Sequence, residues 1–223
     1  MIGIFPESVF TQSELAVDSM INENQAVKLL NSQMLEYDYN TYYHSCGVAR
    51  LMVALVVRSD YGGNVDKNTL KDLAIAGQMH DIGKQHVVCE EILNLRGQRL
   101  NDNQWSTIKA HPIAGFVTNK IMFPDRPLVA NLALNHHSLQ NNNYPATSLI
   151  EHISIPTKDQ VREVQDFAQV AIAIADQCEA RIPLPKLNSH PYNDRSGYSS
   201  SQMIGWIGKE VCKSPNNNIK KKK

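Results

Sequence analysis

Apolar positions recur at three- and four-residue spacings along much of the chain, the pattern of helices that each bury one face. From Glu14 to Leu35 the spacing is mixed, which predicts one or two helices packed on the main body. Between Tyr42 and Val57, the residues Val48, Leu51, Met52, Leu55 and Val56 share a broad apolar face, with His44 near the start. A turn at Tyr61-Gly62-Gly63-Asn64 leads to a second helix over Asn68 to Met79. It packs through Leu70, Leu73, Ala74 and Ala76 and delivers His80 and Asp81 at its carboxyl end.

Gly83 then interrupts the periodicity. A third long helix is expected from Asn101 or Asp102, either of which can cap free amides, through Trp105, Ile108 and His111, with Pro112 kinking it beside His111. Pro127 suits the first turn of a fourth helix, in which Leu128, Val129, Leu132 and Ala133 lead to His136 and His137. Val161 to Glu179 predicts a fifth, with Val164, Phe167, Ala168, Ala171, Ile174 and Ala175 at helical spacing up to Asp176. No alternating strand pattern competes, so the fold class is all-α, a helical bundle whose polar site is assembled from side chains on several helices.

The 223 residues are enough for one substantial core. The expected organisation is an N-terminal helical extension over 1–40, a catalytic domain over 41–212 and a disordered basic tail over 213–223. A formal net charge of zero hides an asymmetry: from Lys209 onward six lysines face one glutamate, giving +5, and the remainder carries −5. The tail reads as a solvated end, so no nucleic-acid partner is expected. Cys46, Cys89, Cys178 and Cys212 have no zinc-ribbon spacing. No stretch approaches the roughly 20 apolar residues of a spanning helix, and Met1 to Glu7 lacks a basic signal-peptide start. The expectation is a cytoplasmic protein without membrane association. The first 40 residues are too few for a typical sensor domain, so regulatory input is expected from a separate protein partner.

A lone histidine, or a lone His-Asp pair, is ordinarily structural. Here histidines and aspartates recur on or at the ends of several predicted helices, among them the His80-Asp81 and His136-His137 pairs. Imidazole and carboxylate donors in such a set suit a transition metal better than calcium. Gln78-Met79-His80-Asp81-Ile82-Gly83-Lys84 is followed by Glu91-Ile92-Leu93-Asn94, Leu100-Asn101-Asp102, Trp105, Ile108-Lys109, His111-Pro112 and His136-His137. This series resembles the HD-GYP phosphodiesterases of the HD superfamily, over roughly residues 40 to 180.

The resemblance implies an HD-domain-like bundle holding two divalent transition-metal ions, iron or manganese. His44, His80, Asp81 and Asp176 would hold the first, and Asp81, His111, His136 and His137 the second, with Asp81 shared. Lys84 would contact the substrate phosphate and act in catalysis with Asp81. Tyr144 would line a base or ribose pocket. Asn40 stands four residues before His44, where some relatives carry a glutamate for a third ion. The implied activity is hydrolysis of cyclic di-GMP, or a related cyclic dinucleotide, to a linear dinucleotide or mononucleotide, in bacterial signalling.

The chain also departs from that family. Ser138 to Pro145 keeps Tyr144 and Pro145 but has Asn143 in place of the glycine. After Asp176, Glu179 can replace the family's second acid, whereas an Arg-Pro-Tyr-Arg stretch is missing, leaving Arg181, Lys186 or Arg195 to contact phosphate. A planar guanidinium matches phosphate geometry in a way that the histidine and asparagine of the later segment His190-Pro191-Tyr192-Asn193 do not. Two other readings therefore stand beside the first: an HD-superfamily phosphohydrolase acting on another nucleotide or phosphate ester, and a nucleotide-sensing or interaction module without turnover.

Overall fold

The computed structural model describes residues 17–58, 65–93, 95, 99–137 and 159–180. These residues form helices and connecting turns, with no strand among them. Residues 17–22 are helical and lead into α1 (Gln25–Tyr37) and α2 (Tyr39–Arg58). Next come α3 (Lys67–Met79), the short α4 (Lys84–Val87) and α5 (Glu90–Leu93), then α6 (Asp102–Ile108) and α7 (His111–Met122). The series closes with α8 (Pro127–Asn135) and α9 (Asp159–Glu179). The expected turn at 61–64 and the loop at 138–145 lie outside the described residues.

Side chains that satisfy the free amides at helix starts fix where the main elements begin. The Asn24 side chain accepts from the amides of Ala26 and Val27 at the head of α1. Asp38, wedged between α1 and α2, accepts from the Thr41 amide at 3.1 Å and the Thr41 hydroxyl at 2.7 Å. That cap anchors the helix bearing His44. Asp66 does the same for α3, accepting from the amides of Asn68 at 2.7 Å and Thr69 at 3.0 Å.

The long third helix expected from the sequence is two helices. Asn101, one of the two expected caps, forms a reciprocal capping box with Gln104 at the start of α6, but α6 stops at Ile108. Lys109 and Ala110 turn, and α7 begins at His111 with Pro112 in its first turn. The physical reason is the missing amide of Pro112, which is tolerated where helix amides are unpaired anyway. Pro112 thus opens a helix instead of kinking one.

The core is shared by α2, α3, α8 and α9. Val48, Met52 and Val56 meet Leu73, Ile75 and Met79, with Val129, Leu132, Ala168, Ile172 and Ala175 closing the other side. Met34, Leu30 and Val27 of α1 belong to the same cluster, as do Val17 and Ile21. Each fully buried aliphatic side chain of this kind contributes about 1.5–3 kcal/mol. A smaller cluster of Phe116, Ala130 and Leu134 joins α7 to α8. No helix among the described residues is long and apolar enough to cross a membrane.

Candidate metal centre

Four of the five histidines lie at helix ends or just past them, and α3 shows why. Its apolar face buries Leu73, Ala74, Ile75, Ala76 and Met79, so the chain leaves the helix inside the protein. The carbonyl of Met79, left without an intrahelical partner, accepts from the buried Asn119 side chain at 3.2 Å. His80 caps the helix, and its Nδ1 donates to the carbonyl of Gly77 at 2.8 Å. The same arrangement recurs twice: His111 Nδ1 donates to the Ile108 carbonyl and His136 Nδ1 to the Ala133 carbonyl, both at 2.7 Å. Each ring uses a carbonyl from the last turn of the preceding helix, where carbonyls have no intrahelical donor.

With Nδ1 committed as a donor to a carbonyl, a neutral imidazole presents Nε2 as a bare acceptor. The Nε2 atoms of His111 and His136 face each other at 3.1 Å. His80 Nε2 is fully buried and has no hydrogen-bond donor within reach among the described residues. Its nearest charged atoms are further acceptors, Asp81 Oδ2 at 3.4 Å and Asp176 Oδ1 at 3.8 Å. A buried cluster of lone pairs pointing at one another requires a proton or a cation at its centre. The donor set therefore fits a metal.

Asp81 stands in the middle. Its Oδ1 lies 3.1 Å from His111 Nε2 and 3.7 Å from His136 Nε2. Its Oδ2 lies toward His80 and is 3.8 Å from His44 Nε2. The Lys84 ammonium, at the start of α4, pairs with that same Oδ2. His44, on α2, places Nε2 3.0 Å from Asp176 Oδ1 and Nδ1 against Glu179 Oε2, so both acidic residues of α9 bracket one ring. His137 Nδ1 is 3.7 Å from Asp176 Oδ2, and its ring centroid is 4.0 Å from that of His136.

Three overlapping groups have ligand atoms within 4.8 Å of one another: His44, His80 and Asp176; His80, Asp81 and His136; and His111, His136 and His137. Either end of this chain of groups can hold an ion, with Asp81 between them. All seven residues singled out in the sequence as ligands thus converge in one place. Lys84 joins them, whereas Tyr144, Arg181 and Lys186 lie outside the described residues. His86 is exposed on α4.

Electrostatics favours the forms that ligate metal. Burial lowers His80 and His136 below the ordinary histidine value, the neighbouring imidazoles adding to the effect at His136, and brings His137 down to about 3. Burial alone would raise both aspartates, but the surrounding cations and donors outweigh it. Lys84, His80 and His111 hold Asp81 well below the ordinary carboxylate range, and His44 and His137 do so for Asp176. His44 goes the opposite way from these three: burial pulls it down, yet hydrogen bonding to Asp176 and Glu179 raises it well above its usual value.

Glu179 is the functional neighbour that the sequence indicated least clearly. It was legible as an acid three residues after Asp176, on the same helical face, but not as the partner of His44.

A family model described as HD domain matches residues 41–181. Comparison with curated proteins gives no match, and comparison with solved structures gives none.

Proposed function

The chain belongs to the HD-domain family, whose members are generally metal-dependent phosphohydrolases, and from that membership we propose that it is a binuclear phosphodiesterase acting on cyclic dinucleotides of the cyclic di-GMP class. The observation that carries the metal-dependent part is the buried, acceptor-rich centre, above all the two Nε2 atoms of His111 and His136 facing each other at 3.1 Å. In this reading His44, His80, Asp81 and Asp176 hold one ion, and Asp81, His111, His136 and His137 hold the other. Iron(II) or manganese(II) suits such a mixture of imidazole and carboxylate donors.

Bound divalent cations supply Lewis acidity, withdrawing charge from phosphoryl oxygens and making water a better nucleophile at neutral pH. The protein's own groups do the rest. The ring orientations fixed by the Gly77, Ile108 and Ala133 carbonyls hold three ligand nitrogens in place before substrate arrives. The Lys84 ammonium, beside Asp81, offsets negative charge growing on the phosphate. Water adds to phosphorus as one P–O ester bond breaks, opening the ring to a linear dinucleotide.

Support for a cyclic dinucleotide comes from Lys84 and from Tyr144-Pro145, which resemble the corresponding parts of HD-GYP enzymes. The missing Arg-Pro-Tyr-Arg stretch favours a second reading, hydrolysis of another nucleotide or phosphate ester by the same centre. Product analysis separates the two. Anaerobically purified protein, reconstituted with iron(II) or manganese(II), is given cyclic di-GMP, cyclic GMP-AMP, cyclic mononucleotides and deoxynucleotides, with Asp81→Ala as control. A linear dinucleotide or mononucleotide from the cyclic dinucleotides, lost in the variant, is expected. Turnover confined to other esters would replace the first reading with the second, and binding without any product would make the protein a sensing module.

A further inference from the structure

We infer that Glu179 is a positioning residue for one half of the metal centre, acting through His44, and that Gly47 is the position that gives its side chain room. The inference rests on the metal-binding reading above and goes beyond it by separating the two halves. His80, His111 and His136 are oriented by carbonyls at the ends of helices, where those oxygens have no backbone donor. His44 is the sixth residue of the twenty-residue α2. There the neighbouring carbonyls already accept from amides one turn ahead, so none is left to hold the ring. The acceptor facing its Nδ1 comes instead from α9, as the carboxylate of Glu179.

The fit between the two helices is close. Glu179 and His44 are both buried, at 7% and 3% exposure, so neither holds its geometry by chance contact with solvent. A Cβ on Gly47, one turn beyond His44 on α2, would lie 2.6 Å from Glu179 Cγ and 3.0 Å from its Oε1. Any side chain at position 47 would therefore push Glu179 off the ring. Asp176 and Glu179, three residues apart on α9, address opposite nitrogens of the same imidazole. With Nδ1 donating to the Glu179 carboxylate, Nε2 faces Asp176 and the centre.

The consequence is an asymmetry. The His44, His80 and Asp176 half has a carboxylate behind one of its histidines, which makes that ring a stronger donor. The two His111-side rings with an assigned Nδ1 partner, His111 and His136, have neutral carbonyls there. Zinc is the probe of choice because it is redox-inert. Zinc titration against a competing chelator is carried out on the full chain, for wild type, Glu179→Gln, Glu179→Ala and Gly47→Ala. Wild type is expected to bind two ions. Glu179→Ala and Gly47→Ala should weaken one of them about 10- to 100-fold and leave the other unchanged, while Glu179→Gln, which keeps an acceptor but loses the charge, should fall between. A purely structural role would weaken both ions alike or neither, and either result would overturn the inference while leaving the metal centre standing. If wild type binds no zinc, the metal-binding reading and this inference fall together.

Discussion

Gly83 and His111 pack so closely that a Cβ on Gly83 would run into the carbonyl oxygen of His111 and stand 3.0 Å from the Cα of Gly115. The turn carrying His80 and Asp81 is therefore pressed directly onto the first turn of α7. This backbone contact sets the distance between the two halves of the centre, because it ties Asp81 on one side to His111 on the other. Gly83→Ala should cost about 3 kcal/mol or more, since backbone atoms, unlike a flexible side chain, cannot move aside. Urea unfolding of the metal-free protein measures it, and a cost under about 0.5 kcal/mol would show that the contact is easily relaxed.

Acid should destabilise the metal-free protein well before ordinary carboxylates titrate. His80, His136 and His137 are held neutral by burial, so their folded values lie below the unfolded histidine value of about 6.5. The unfolded chain then binds more protons, and stability falls as pH drops below about 6.5. His44 has the opposite sign, with a raised folded value whose contribution is fully present below pH 6.5 and lost as pH rises through that value. Three rings against one should decide the balance. The urea midpoint is expected to fall between pH 7.5 and pH 5, and a midpoint that rises over that range would contradict this.

Lys84 pairs with the shared carboxylate and lies only partly buried at the edge of the centre. Replacing it by methionine keeps most of the side chain's bulk and removes the charge. If its ammonium offsets charge on the phosphate, kcat should fall by about 100-fold or more. Metal stoichiometry should stay the same, since Lys84 is not a ligand. Steady-state kinetics and metal analysis on the same preparation test the pair of outcomes, and an unchanged kcat would remove Lys84 from the mechanism.

Much of this was legible in the sequence. The apolar periodicity before His80 and before His136 located the helices and their ends, because the same pattern that buries a helix face also carries its last turn into the interior. The seven ligand candidates could be named because their types and order match the HD-GYP phosphodiesterases that the chain resembles. The break between α6 and α7 was misread because the three-residue spacing of Trp105, Ile108 and His111 continues through it, although Pro112 signals a helix start as readily as a kink. The role of Glu179 depends on two helices meeting across 135 residues of sequence, and on a glycine leaving space between them. Neither is encoded in local spacing.

In the proposed binuclear site these seven side chains hold both ions, with Asp81 common to the two. Manganese(II) titration of the metal-free wild-type protein and of Asp81→Ala, followed by calorimetry, tests it most directly. Two ions per chain are expected in wild type, with both weakened in Asp81→Ala because its two oxygens serve both halves. One ion in wild type, or a variant that still binds two ions with unchanged affinity, would contradict the account.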